Sequence, residues 1–410
     1  MRRVVVTGLG TVCPVGNNTE TSWKNILAGL SGIGPITRFD TEGFSCRIAG
    51  EVKNFDPAPA MTPKDARRYD LFIQYAVAAG AEAFGDAGLE GAFEPERAGV
   101  CIGSGIGGLD TIDKNVRVLM EKGPRRVSPF LVPGIISNMP NGLVSIRYGF
   151  KGPTVGHVSA CSTGLHAIGE AACMIIRGDA DVMIAGGSEA IVTPVAVAGF
   201  DNMHALSRRN DEPQKASRPF DSGRDGFVIG EGAGVLVLEE LSHAQARNAK
   251  IYAELVGYGM SSDAYHITTP TTEGPVISMR NALRHAGISP SDIDYLNAHG
   301  TSTVIGDVNE SKAIAEVFSG CASSLTVSST KSMTGHLLGG AGGVESVFTV
   351  LAIRDQVCPP TINLDSQDPE CTLDYCPNVR KNKTIRYAMK NSFGFGGTNG
   401  TLIFKRYIAE

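Results

Sequence analysis

Apolar residues at Leu165, Ile168, Ala172 and Ile175 are spaced by three and four, so residues 162–177 carry one apolar helical face, which Gly178 ends. Just upstream, residues 154–160 alternate apolar with small or polar side chains after the turn signal Gly152-Pro153, which predicts a strand running into a sharp turn. Further patterns predict strands over 2–7, 99–103, 233–239, 293–298 and 325–329, and helices over 242–250 and 344–353. Near the C-terminus the glycine-rich stretch 391–400 interrupts two strand-like runs, as a tight hairpin or a loop that brings backbone close to a ligand.

The heptapeptides Ala83-Phe84-Gly85-Asp86-Ala87-Gly88-Leu89 and Ala282-Leu283-Arg284-His285-Ala286-Gly287-Ile288 echo one another. Each ends a helical pattern and is followed by a short loop, a strand and a loop of small residues. Two similar α/β halves, residues 1–250 and 251–410, are the economical reading.

The predicted turn places Cys161 at a helix N-terminus, where unpaired amides and the helix dipole favour thiolate. The dipole contributes roughly 0.3–1 kcal/mol, less than the ~1.36 kcal/mol that one pKa unit represents. It assists without sufficing, and an amide pair for a developing oxyanion completes the requirement. His299, within Asn297-Ala298-His299-Gly300-Thr301, and His336, within Lys331-Ser332-Met333-Thr334-Gly335-His336, both follow predicted strands. Loops beyond strand ends are where α/β proteins place chemistry. One soft nucleophile with two imidazoles suits carbon–carbon bond formation on a thioester.

Composition narrows the class. The 410 residues carry a net charge of -5, which argues against nucleic acid as partner, and 42% hydrophobic with 19% charged residues is ordinary for a globular protein. Nine cysteines, irregularly spaced, point to a reducing compartment, and Cys371 and Cys376 lack zinc-site spacing. No apolar stretch approaches the ~18 residues of a membrane span, and the chain starts directly on its first predicted strand. Cytoplasm is the expected setting.

Ser159-Ala160-Cys161-Ser162-Thr163-Gly164, Asn297-Ala298-His299-Gly300-Thr301-Ser302-Thr303, Lys331-Ser332-Met333-Thr334-Gly335-His336 and Gly394-Phe395-Gly396-Gly397-Thr398-Asn399 together resemble the beta-ketoacyl-(acyl-carrier-protein) synthases, nearest the synthase II branch of bacterial fatty acid synthesis. The likeness covers nearly the whole chain. It implies an α/β, thiolase-like fold of two duplicated halves in five α-β-α-β-α layers. It also implies a decarboxylative condensation of acyl- with malonyl-carrier protein, giving a 3-oxoacyl product and carbon dioxide. Cys161 would carry the acyl group, its own amide and that of Phe395 would form the oxyanion hole, and His299 and His336 would stabilise the enolate. Lys331 would orient the site with Glu345 as counter-ion.

By the same resemblance Thr301 and Thr303 hold the phosphopantetheine arm, and Ile106, Phe200, Phe393 and Asn399 contact substrate. No metal or cofactor of the enzyme's own is implied, since the carrier protein brings the phosphopantetheine. A homodimer is expected, with no nucleic-acid or membrane partner. Lys64, Arg67, Arg68, Arg125 and Arg126 are candidates for docking an acidic carrier protein, with Arg208 and Arg209 near Phe200. His204 stands where the resemblance leads one to expect arginine. The alternatives are a polyketide-type ketosynthase with the same catalytic set, a non-catalytic chain-length subunit, which would lack Cys161, and an NAD-binding oxidoreductase. The last rests on Gly103-Ser104-Gly105-Ile106-Gly107-Gly108, a G-x-G-x-x-G run after a predicted strand.

Overall fold

Nine strands of the described residues, 2–408 in this computed structural model, join in one mixed sheet. They are β1 (Val4–Val12), β2 (Ala98–Gly103), β3 (Val182–Glu189), β4 (Gly232–Glu240), β5 (Ala253–Ser262), β6 (Tyr295–Asn297), β7 (Thr326–Ser328), β8 (Tyr387–Gly394) and β9 (Thr398–Arg406). Their spatial order is β2-β3-β4-β1-β5-β9-β8-β6-β7. From the centre outward, β1-β4-β3-β2 runs antiparallel, antiparallel, parallel. The run β5-β9-β8-β6 repeats that sequence of pairings before β7 adds one more parallel strand. The two sets meet only where Val4, Val5 and Val6 pair antiparallel with Leu255, Glu254 and Ala253.

Five helices complete the layers: α1 (Leu71–Ala87), α2 (Thr163–Arg177), α3 (Glu273–Ala286), α4 (Val304–Val317) and α5 (Ala341–Asp355). α1 packs on β1, β3 and β4, and α3 packs on β5 and β9 with α4 beside it. α2 and α5 touch strands of both sets and so form the middle layer, giving the expected α-β-α-β-α stack. Every residue of β1, β3 and β4 is buried, because each of these strands is covered on both faces. The helices of the echoed heptapeptides end alike, with Gly88 at φ 60° and Gly287 at φ 67° as left-handed caps.

The middle helices approach backbone to backbone. A Cβ on Gly164 would stand 2.8 Å from the Gly343 nitrogen, and one on Gly342 would stand 2.3 Å from the Leu165 nitrogen. Any side chain there would push apart the first turns of α2 and α5, where the reactive groups lie.

Three local expectations are corrected. Residues 154–160 form no strand: Thr154 makes one bridge to Val100, and further on the Ser159 amide bonds to the Thr163 hydroxyl at 2.8 Å. The helix expected over 242–250 stops early, as Leu241–Ala246, and the next residue, Arg247, turns to reach Glu239 at 2.5 Å. His336 does not follow a strand directly, because the short helix Lys331–Thr334 intervenes after β7.

Candidate active site

Cys161 occupies a 3₁₀ turn, Ala160–Ser162, that leads into α2, and Ala160 holds the left-handed value φ 49°. The β8–β9 hairpin clamps this turn. The Ser162 hydroxyl reaches the carbonyls of Ser392 at 3.0 Å and Thr398 at 2.8 Å, and the Thr398 hydroxyl donates to the Ser159 carbonyl at 3.0 Å. A Cβ on Gly394 would stand 3.0 Å from the Cys161 nitrogen and 3.1 Å from the Ser159 oxygen, so only glycine lets the hairpin this close. His166, one turn into α2, joins both parts: Nδ1 meets the Ser159 hydroxyl at 2.7 Å, and Nε2 faces the Asn399 carbonyl at 3.3 Å.

Burial pushes the Cys161 thiol up to about 12, against the lowering effects of the Lys331 charge, the Phe395 amide and its own amide. The expected preference for thiolate is therefore overturned: desolvation outweighs the helix terminus, and the sulfur rests as a neutral thiol. The same two amides act on the sulfur as donors, which is the arrangement an oxyanion needs.

His299 and His336 face each other edge to face, ring centroids 5.2 Å apart. Phe393 stands 5.8 Å from His299, and Phe227 stands 5.4 Å from His336. Burial, then Lys331, lowers both imidazoles well below their ordinary range, with Lys390 adding to the effect, so both are neutral near pH 7. Nδ1 of His299 and both ring nitrogens of His336 are buried without a hydrogen-bond partner. Glu310 of α4 holds the His299 loop by accepting from the amides of His299 at 2.8 Å and Gly300 at 2.7 Å.

Lys331 Nζ stands 2.6 Å from one oxygen of Glu345, and Lys390 Nζ of β8 stands 2.7 Å from the other. Neither contact has hydrogen-bond alignment at Glu345, and both act as ion pairs. The expected Lys331–Glu345 pair is present, and Lys390 and Glu310 are additions that sequence reasoning missed. Lys390 left one trace, a lysine directly after the apolar run Tyr387-Ala388-Met389; Glu310 left none, being an ordinary acid in a helix.

The remaining candidates divide. The hydroxyls of Thr301 and Thr303 lie 3.0 Å apart at the start of α4. Phe200 packs on Phe227, which itself packs on His336, and Phe393 belongs to the chamber. Phe395 and Ile106 are exposed near it. Asn399 is committed elsewhere: its amide donates to Asp263 at 2.7 Å and to the Gly397 carbonyl at 3.2 Å, which braces the hairpin.

The glycine run 103–108 is corrected as a nucleotide site. The Ser104 hydroxyl and the amides of Gly105, Ile106 and Gly339 all donate to the buried carboxylate of Glu189. Donors that would cradle a phosphate are spent on an internal anion, and a second anion there meets Glu189. Among the described residues no group of three His, Cys, Asp or Glu side chains is placed to hold a metal ion, and no helix is long and apolar enough to cross a membrane.

Arg67 and Arg68 line an open cavity of about 330 Å³ with Lys114 and Phe130, and Arg68 lies 4.4 Å over the Phe130 ring. Lys64, Arg125 and Arg126 are exposed on the same stretches of chain. A second cavity of about 350 Å³ lies by Cys13 and Lys53, and neither reaches Cys161. Arg208 pairs with Asp201 at 2.9 Å and Arg209 with Glu212 at 3.8 Å, while His204 is exposed.

Comparison with known proteins shows the family. The family description "Beta-ketoacyl synthase, N-terminal domain" matches residues 1–244, and "Beta-ketoacyl synthase, C-terminal domain" matches residues 252–365. A Vibrio cholerae protein named 3-oxoacyl-[acyl-carrier-protein] synthase 2 is 57% identical over 410 residues, covering 99% of each chain. A Coxiella burnetii protein of the same name is 55% identical over 408 residues, again covering 99% of each. A type II polyketide ketosynthase, solved with its acyl-carrier protein and bound to a hexaketide, superposes with TM-score 0.92 at 35% identity, covering 99% of this chain and all of that one. Family models that match residues 1–244 and 252–365, with relatives 55% and 57% identical over nearly the full length, make this chain a member of the beta-ketoacyl synthase family.

Proposed function

We propose that the protein is a 3-oxoacyl-[acyl-carrier-protein] synthase of fatty acid elongation. The observation that carries the reading is the Cys161 sulfur under the influence of its own amide, the Phe395 amide and Lys331, with Lys331 also acting on two neutral imidazoles. In the first half-reaction the sulfur attacks the thioester of an acyl-loaded carrier protein. The two amides hold the developing oxyanion, and the thiol proton leaves with the departing phosphopantetheine thiolate. Covalent capture divides the work in two.

In the second half-reaction malonyl carrier protein loses its carboxylate as carbon dioxide. The electrons pass to its thioester oxygen, where His299 and His336 each donate one ring N–H. The enolate carbon attacks the acyl-Cys161 carbonyl, and the sulfur departs as thiolate. Burial makes that thiolate strongly basic, so it takes up a proton and the resting thiol returns. The cycle consumes one proton and needs no redox partner.

Thr301 and Thr303 hold the pantetheine amides in this reading, and Phe200, Phe393 and Ile106 line the acyl path. Asn399 supports the hairpin. Carrier protein docks on Lys64, Arg67, Arg68, Arg125 and Arg126, favoured by the exposure of all but the half-buried Arg68. The division into halves 1–250 and 251–410 is supported by family matches that break between 244 and 252. The setting is cytoplasmic, and two copies associate. The 35% identity to the polyketide ketosynthase, against 57% and 55% to the fatty acid enzymes, favours elongation.

The test is Cys161→Gln, with mass spectrometry of intact protein and measurement of released carbon dioxide. The wild type acquires one acyl adduct, on Cys161, and condenses. Cys161→Gln acquires none yet still decarboxylates malonyl carrier protein. An adduct elsewhere, or loss of decarboxylation in a folded Cys161→Gln protein, overturns the division of labour.

A further inference from the structure

Glu345 lies between two lysines, and the second of them is unusual for its position. Lys390 sits in the middle of β8, fully buried, with its Nζ 2.7 Å from Glu345 Oε2 and donating also to the Asn391 carbonyl. Lys331 Nζ stands 2.6 Å from Glu345 Oε1. Side-chain exposure is 1% or less for both lysines and 2% for Glu345, so water screens none of the three. A buried ammonium costs several kcal/mol in desolvation, and one carboxylate already satisfies Lys331. Packing does not require Lys390 to be a lysine, since an apolar residue would fill a strand interior at lower cost.

The groups facing Lys390 come from five other segments: Glu345 on α5, Lys331 on the short helix Lys331–Thr334, Glu310 on α4, and the histidines His299 and His336 in their two loops. The two ammoniums share Glu345, with Glu310 a second carboxylate acting on them, and both imidazoles respond to the Lys390 charge. The leading charge on the Cys161 sulfur is that of Lys331. The Lys390 charge reaches the two imidazoles, on the side of the chamber where negative charge must appear on a thioester oxygen.

We propose that Lys390 is a positioning residue for the malonyl half-reaction: held 2.7 Å from Glu345, its charge offsets the charge that develops on the enolate beside His299 and His336. The inference rests on the condensing reading above. Burial lowers the Lys390 ammonium to about 8, with Glu345 opposing the effect. The sign follows directly: Lys390 is charged below about 8 and neutral above it, so its contribution is present at pH 7 and lost as pH rises through about 8.

The experiment follows the two half-reactions separately between pH 7 and 9 in wild type, Lys390→Met and Lys390→Arg. Loading of Cys161 is read by mass spectrometry, and decarboxylation of malonyl carrier protein by carbon dioxide release. Wild-type decarboxylation is expected to fall by about tenfold across one titration near pH 8, which corresponds to one lost charge interaction of ordinary size, while loading does not follow that titration. Lys390→Met decarboxylates at pH 7 at the reduced rate and shows no titration. Lys390→Arg, whose charge persists to high pH, keeps the faster rate throughout, and it carries the test if Lys390→Met fails to fold. A wild-type profile retained in Lys390→Met, a loss above pH 8 retained in Lys390→Arg, or loading and decarboxylation falling together overturns the proposal. Absence of any decarboxylation by wild type would instead remove the condensing reading itself.

Discussion

His299 and His336 show how far position governs a residue's chemistry. An exposed imidazole is half protonated near pH 6.5, whereas these two, buried and facing Lys331 and Lys390, stay neutral well below that. Neutrality is what the reaction asks of them, since each must donate one N–H while no proton is lost to the enolate. Carbon dioxide release by Cys161→Gln is accordingly expected to be unchanged between pH 7.5 and 6.0. A fall with a midpoint near 6.5, followed in a buffer series at saturating malonyl carrier protein, would show that the imidazoles titrate as exposed groups do. Cys161 carries the converse lesson: its helix terminus was legible in the spacing of Leu165, Ile168, Ala172 and Ile175, but its protonation was not, because desolvation depends on everything packed around the sulfur.

Among the elements, the β8–β9 hairpin does most to assemble the site. It presents the Phe395 amide to Cys161, buries Lys390 against Glu345, and receives three hydroxyl hydrogen bonds from or to the nucleophile turn. Gly394→Val tests this contact. With only 3.0–3.1 Å available at a Cβ beside the Cys161 nitrogen and Ser159 oxygen, the hairpin must retreat by several tenths of an ångström. Acyl loading is expected to slow by about a hundredfold, the scale of losing one oxyanion donor, while decarboxylation changes little. Stopped-flow loading with an acyl carrier protein checks it, and an unaltered loading rate removes the hairpin amide from the mechanism. The glycine cluster itself was visible in sequence, both as a hairpin and as a close approach to a reacting oxygen, and the two readings prove compatible. The strand expected over 154–160 failed because the Ser159 amide bonds to a threonine hydroxyl, a choice that alternation of side chains cannot reveal.

For the molecule as a whole, exposed apolar residues gather between positions 116 and 158 of the chain. Val116, Leu119 and Met120 on the helix Leu109–Lys122, with Ile146, Val155 and Val158 from following segments, are all at least 40% exposed. Several exposed apolar residues clustered in one region of chain favour a partner surface, and Val158 lies three residues before the nucleophile. Sedimentation of the wild type is expected to give a dimer. Met120→Glu, at a position 81% exposed and so harmless to the fold, is expected to shift that equilibrium toward monomer. A wild type that sediments as a monomer at micromolar concentration would refute the association.

By itself the sequence indicated most of the elements, the duplicated pattern behind the echoed helix ends, and Cys161, His299, His336 and Lys331 as a candidate set, with Glu345 added only by the family resemblance. These rest on local periodicity, turn chemistry and ordered motifs, which act over a few residues. Only tertiary structure decided that a thiol at a helix start remains protonated, that a G-x-G-x-x-G loop spends its donors on Glu189, and that Lys390 shares a carboxylate with Lys331. Each of these depends on charges and amides brought together from distant parts of the chain inside a medium without water. Burial there multiplies every electrostatic interaction, and no window along the sequence contains it.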